Sequence, residues 1–268
     1  MSRNKTQMGV SSHAKIFAME IFGIYLTVFQ LFALMFSSLL LGMSKTGIQG
    51  ISIISIPLMA MAFGAKESTG VVLPILCFAD LIAVIYYKRD CVFKYVVRLL
   101  PSAVAGFFLA IAVDKIVPEN MFKVLLAICI LGGFVIMAFD KKLTAQNSCV
   151  NSWWYAPLFG ILGGFSTMIG NAAGPVMAVY LLSMRLPKFA FVGTNAWFFL
   201  CVNYLKLPLQ GFVWENITLQ TLAIDCLGIP AIFIGAILGI YLTKLLPEKA
   251  YRKFIIAVTI VSTLALLF

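Results

Sequence analysis

The chain has 268 residues, 62% hydrophobic and 11% charged, with a mean hydropathy of +1.02. Soluble domains carry roughly 45–50% apolar and about 25% charged residues, so this composition excludes a soluble globular fold and requires an integral membrane protein. The formal charge of +10 sits on lysines and arginines placed singly or in small groups at segment ends, where they set orientation in a bilayer, and it does not indicate nucleic acid. Long apolar stretches with short polar joints predict an all-α bundle rather than a barrel, whose strands would alternate in ~10-residue segments.

In chain order, a polar N-terminal tail (1–18) lacks the apolar core and cleavage site of a secretory signal. A first membrane repeat, 19–139, holds apolar segments at Met19–Met43, Ile51–Gly64, Thr69–Tyr87, Tyr95–Val113 and Met121–Phe139. Residues 140–152 form a polar linker. A second repeat, 153–268, holds segments at Trp154–Ile169, Pro175–Met184, Phe189–Leu205, Leu219–Thr243 and Ala250–Phe268. The expected architecture is about 8–10 transmembrane or half-membrane helices in two inverted repeats.

Crossing a ~30 Å hydrocarbon core takes about 20 helical residues, which the second and seventh segments do not reach. Both follow glycine-rich breaks at matching places, the pattern of transporters whose helices are interrupted around a binding site. An internal duplication explains the register. Leu40/Leu162, Gly42/Gly164, Ser44/Ser166 and Lys66/Lys188 are each 122 apart; Pro101/Pro230, Gly106/Gly235, Lys115/Lys244, Pro118/Pro247 and Glu119/Glu248 are each 129 apart. An odd number of crossings per copy turns the second copy over. With the N-terminus outside, twelve basic residues fall on the cytoplasmic side and seven outside, which favours that orientation.

The chemistry concentrates at the two breaks. Lys45 stands between Ser44 and Thr46 in apolar sequence, where an ammonium costs at least ~2.5–3.5 kcal/mol, so it is expected to face a cavity and attract an anion. Gly47 and Gly50 allow the backbone to unwind and approach a ligand closely. The helix that follows presents free N–H groups, which suit an oxyanion. The second break repeats the logic with Asn171, Ala172 and Gly174 before Pro175, and Asn171 lies 122 after Gln49. Asp80, within the third segment, is the candidate to pair with Lys45 or to carry a coupling proton. In the opposed eighth segment Thr194, Asn195 and Asn203 offer neutral polar groups, Asn195 the best placed of them.

Other residues read as structural. Lys206 beside Pro208 is expected to snorkel, Asp225 and Glu20 to sit at an interface, and Trp153, Trp154, Tyr155 and Trp214 to form an aromatic belt. Six cysteines (Cys77, Cys91, Cys129, Cys149, Cys201, Cys226) lack metal spacing and read as apolar packing. The single histidine, His13, lies in the tail, and no nucleotide-binding loop or catalytic pair is evident, so no cofactor, metal or enzymatic activity is expected.

The whole chain resembles the TauE/SafE sulfite exporter family, also called the four-toluene sulfonate uptake permease family. The match rests on Leu41 to Gly50 continuing to Pro57, on Ala65–Gly70, and on Asp80-Leu81 through Tyr86–Arg89. In the later half it rests on Gly170–Pro175, Phe191–Ala196 and Gly235–Pro247. Many members carry a fuller glycine cluster at each break, where this chain has Lys45-Thr46-Gly47 and Asn171-Ala172-Ala173-Gly174. The resemblance implies a secondary transporter of the bacterial inner membrane, moving sulfite, thiosulfate or organosulfonates without ATP. The expected partners are a small anionic solute, the bilayer and a coupling proton or ion. Rival readings are a passive anion channel, a transporter of non-sulfur carboxylates and a membrane scaffold.

Overall fold

The computed structural model describes residues 18–21, 24–113 and 152–265. Thr27 decides where the first helix begins. Its Oγ1 accepts from Gln30 N at 3.2 Å, and Gln30 Oε1 accepts from Thr27 N at 3.0 Å. This reciprocal cap satisfies two donors at the start of α1, Val28–Thr46. The residues before it pair instead as an antiparallel hairpin, β1 Ala18–Ile21 with β2 Ile24–Thr27. A single helix starting at Met19 is therefore corrected. β-Branched and aromatic residues in Ile24–Thr27 favour extended backbone, and the cap stops the helix from growing backward.

After α1 come one 3₁₀ turn (Ile51–Ile54), α2 Ser55–Phe63, α3 Ala65–Tyr87 and α4 Phe93–Val113. The second half contributes α5 Tyr155–Gly170, α6 Gly174–Ser183, α7 Lys188–Phe212, α8 Leu219–Leu245 and α9 Glu248–Ala265. The expected segment Met121–Phe139 and nearly all of the linker lie outside the described residues. Four described helices (α1, α3 from Glu67, α4 and α8) are long and apolar enough to cross a membrane.

α2 and α6 have 9 and 10 residues, or about 15 Å at 1.5 Å per residue, half a hydrocarbon core. Both turn back. Gln30 Nε2 donates to Ala62 O at 3.0 Å, which puts the end of α2 beside the start of α1. Tyr155 Oη and Ser183 Oγ lie 2.7 Å apart, which puts the end of α6 beside the start of α5. α1–α2 and α5–α6 are thus two helical hairpins, each with its tip at a break.

Side-chain contacts give the helix directions. Thr69 meets Asn216, Asp80 meets Asn203, and Val92 N donates to Thr194 Oγ1, so α3 and α7 run antiparallel. α1 lies along α8 in the same direction: a Cβ on Gly42 would strike Ile232 O, and one on Gly47 would strike Thr243 Oγ1. α5 lies along α4 likewise, with Gly160 against Leu99 and Gly164 against Ala103. The offsets of 122 and 129 carry one set of contacts onto the other. Gly42–Ile232 becomes Gly164–Ala103, and Gly235–Leu39 becomes Gly106–Ile161.

Small residues at these crossings let the backbones approach closely. Gly42→Ala and Gly164→Ala are accordingly expected to cost about 1–3 kcal/mol each, because the atom struck is backbone and cannot move aside. Gly170→Ala, with nothing within 4 Å of its Cβ, is expected to stay within about 0.5 kcal/mol. Thermal unfolding in detergent compares the three. Unequal losses at Gly42 and Gly164 would argue against equivalent packing.

Candidate functional site

The two hairpin tips meet. A Cβ on Gly174 would lie 3.9 Å from Ser52 Oγ, across the gap between the first break and the start of α6. The backbone conformations that shape the tips are particular. Gly50 sits at φ 94°, a left-handed conformation that strains any residue with a Cβ, and it turns the chain into the 3₁₀ segment. Asn171 closes α5 at φ 55°, a conformation that Asn tolerates better than most residues.

Between the tips lies a small cavity of about 30 Å³. The first hairpin lines it with Ser44, Lys45, Gln49, Gly50, Ser52 and Ser55, and the second with Thr167, Asn171 and Gly174. Asn195, Phe199 and Asn203 of α7 and Val72 and Leu76 of α3 complete the lining. Eight residues expected from sequence therefore converge here: Ser44, Lys45, Gln49, Gly50, Asn171, Gly174, Asn195 and Asn203.

Charge is arranged in depth. Lys45 Nζ lies 2.9 Å from Asp80 Oδ1 and 3.7 Å from the centroid of the Phe199 ring. Asp80 Oδ2 accepts from Asn203 Nδ2 at 2.6 Å, and the residue is 0% exposed. The cavity is also lined by polar atoms that are buried and lack a partner: Gln49 Nε2 and Oε1, Ser55 Oγ, Asn195 Oδ1 and Asn203 Oδ1. Buried polar groups are almost always bonded, so a concentration of unbonded ones around one cavity leaves hydrogen bonds for whatever fills it to make.

Four expected site residues are placed elsewhere. Thr46 Oγ1 donates to Gly42 O at 2.9 Å or Ala236 O at 3.0 Å and faces α8. Gly47 packs on Gly239 and Thr243, and its carbonyl accepts from Tyr251 Oη at 2.6 Å. Ala172 N donates to Ser166 O at 3.2 Å, and Thr194 Oγ1 is taken by Val92 N at 2.9 Å. These residues hold the tips and helix ends in place without lining the cavity.

Three structural readings are corrected. Lys206 does not snorkel: it is 0% exposed and donates to Thr167 O at 2.8 Å, to Thr167 Oγ1 at 3.2 Å and to Asn171 Oδ1. The missed signal is the stripe Asn195, Phe199, Asn203, Lys206 and Gln210, spaced three or four apart on one helical face. Asp225 is buried, with both carboxylate oxygens unpartnered, because Gly228 and the small residues beyond it draw α8 tightly against α1. Tyr155 is fully buried, whereas Trp153 is exposed as an interfacial residue would be. Cys77 is buried as expected, but Cys226 is exposed, and Cys129 and Cys149 lie outside the described residues. Among the described residues no cluster of His, Cys, Asp and Glu could hold a metal ion.

Apolar helices long enough to cross a bilayer, with two hairpin tips around a small polar cavity, define a multi-pass membrane protein. A family model described as "Sulfite exporter TauE/SafE" matches residues 31–266, and the chain belongs to that family. No curated protein and no solved structure matches the chain.

Proposed function

We propose that this protein is a secondary transporter that carries a small sulfur oxyanion or sulfonate through the cavity between the hairpin tips. One observation carries the reading: unpartnered buried amide and hydroxyl groups surround a cavity that also holds the Lys45 ammonium. Gln49 Nε2 and Ser55 Oγ are the unpartnered donors and suit the oxygens of sulfite, while the amide oxygens of Gln49, Asn195 and Asn203 accept and suit a proton or water carried with the guest. A cavity this small favours a guest of few atoms over an aryl sulfonate. Gly174 and the first turn of α6 add a helix N-terminus, which favours negative charge. The family assignment supports sulfur chemistry over carboxylates.

The exchange of contacts between the two halves supports a pair of inverted repeats, and with them a rocking of one half against the other. In this mechanism each hairpin tip leaves its partner in turn and opens the cavity to one side. Asp80, which shares Lys45 with the guest, is the residue we assign to proton or ion coupling.

Counterflow tests the mechanism. Proteoliposomes preloaded with unlabelled sulfite should take up labelled sulfite faster than empty ones, because a carrier returns more quickly when loaded. Uptake indifferent to internal sulfite would favour a passive channel, and no uptake of sulfite, thiosulfate or a short sulfonate would favour a scaffold.

A further inference from the structure

Lys206 is a buried cation to which the transport reading gives no role. Its ammonium is fully enclosed, and its partners are two oxygens of Thr167 and the side-chain oxygen of Asn171. All three are neutral. Among the described residues no carboxylate forms an ion pair with it, whereas Lys45 has Asp80 at 2.9 Å. Thr167 and Asn171 both line the cavity, so Lys206 stands one residue behind the part of the wall that the second hairpin supplies. With their formal charges, Lys45 and Asp80 cancel and Lys206 leaves one positive charge at the site.

We propose that Lys206, acting through the second hairpin tip, supplies the net positive charge that makes the cavity select anions, while the Lys45–Asp80 pair contributes hydrogen bonds without net charge. A lone buried ammonium is costly, and neutral oxygens offset only part of that cost. An anion in the cavity completes the neutralisation. The choice of acceptors fits this role: Asn171 sits at the hairpin tip in a left-handed conformation, so its contact with Lys206 ties the position of the tip to the state of the cavity. The inference rests on the anion-transport reading and adds the residue that sets guest charge.

Removing a positive charge that acts at a distance weakens a dianion's binding free energy about twice as much as a monoanion's. A lost helix cap would weaken both alike. The probes are therefore sulfite, methanesulfonate (one charge) and sulfate (two charges), titrated by calorimetry into the purified full chain in nanodiscs. For Lys206→Gln the expected loss is on the order of 100-fold for methanesulfonate and roughly the square of that for sulfate, the scale of one unit charge ~6 Å away at an effective dielectric of ~20. Lys206→Arg should keep the wild-type ratio of the two affinities. The paired variant Lys45→Met/Asp80→Asn, which leaves Lys206 in place, should also keep that ratio.

Equal losses for the two probes in Lys206→Gln would overturn the inference and make Lys206 a helix cap. So would a paired variant that no longer distinguishes sulfate from methanesulfonate, an arm that stands even if Lys206→Gln does not fold. Wild-type protein that binds none of the three probes would overturn the anion reading itself, and the inference with it.

Discussion

Lys45→Met is expected to lower the unfolding free energy by about 3–5 kcal/mol and to abolish sulfite flux in proteoliposomes. The loss arises at Asp80. This carboxylate is completely buried, and Lys45 is its ion-pair partner; with methionine opposite, only the Asn203 amide still bonds it. At roughly 2–4 °C per kcal/mol for a chain of this size, the melting temperature in detergent should fall by roughly 6–20 °C. Lys45→Met/Asp80→Asn removes both charges while keeping a group that can bond Asn203, and it should return to within about 1 kcal/mol of the wild type. The double variant should also bind anions again, to within roughly tenfold, because Lys206 still supplies positive charge. The single and paired variants together separate two roles that either alone would confuse. A single variant that is stable and active would remove Lys45 from the mechanism. A paired variant that is stable but binds no anion would make Lys45 itself the source of attraction.

Composition and apolar segment lengths were enough to read a helical membrane protein, and two short segments behind glycine-rich breaks located the cavity's rim. The details that went wrong share a physical cause: spacing along a chain does not say which way a side chain points where a helix ends. Lys45 and Thr46 are neighbours, yet successive residues of a helix are turned by about 100°, so Lys45 enters the cavity while Thr46 faces α8. Thr27 and Gln30 carried a readable capping signature within an apolar run, but hydropathy alone extends the helix through it. Lys206 was hidden differently. A lysine three residues beyond Asn203 belongs to the polar stripe of α7, but the adjacent Pro208 reads as a helix end until the structure shows the helix continuing to Phe212. Pairings such as Lys45 with Asp80, or Lys206 with Thr167, join separate elements, and only the fold brings them together.

Gln49→Met is expected to stabilise the empty protein and to destroy its response to substrate. Both polar atoms of the Gln49 amide are buried, border the cavity and have no partner. A buried donor or acceptor left unbonded costs about 1–3 kcal/mol, and methionine, of nearly the same shape, carries neither. The melting temperature of the unliganded variant should therefore rise, by roughly 2–12 °C. In the wild type, sulfite should accept from Gln49 Nε2, and a ligand at about 100 times its dissociation constant adds about 2.7 kcal/mol to stability. In Gln49→Met that ligand-dependent shift should be absent or greatly reduced. The opposite signs are the point of the measurement: a residue kept for packing loses stability when replaced, whereas one kept for a guest gains it while binding is lost. Differential scanning of both proteins with and without sulfite decides between them. A variant that melts lower than the wild type, or that keeps the full sulfite shift, would show that the amide is not part of the binding wall.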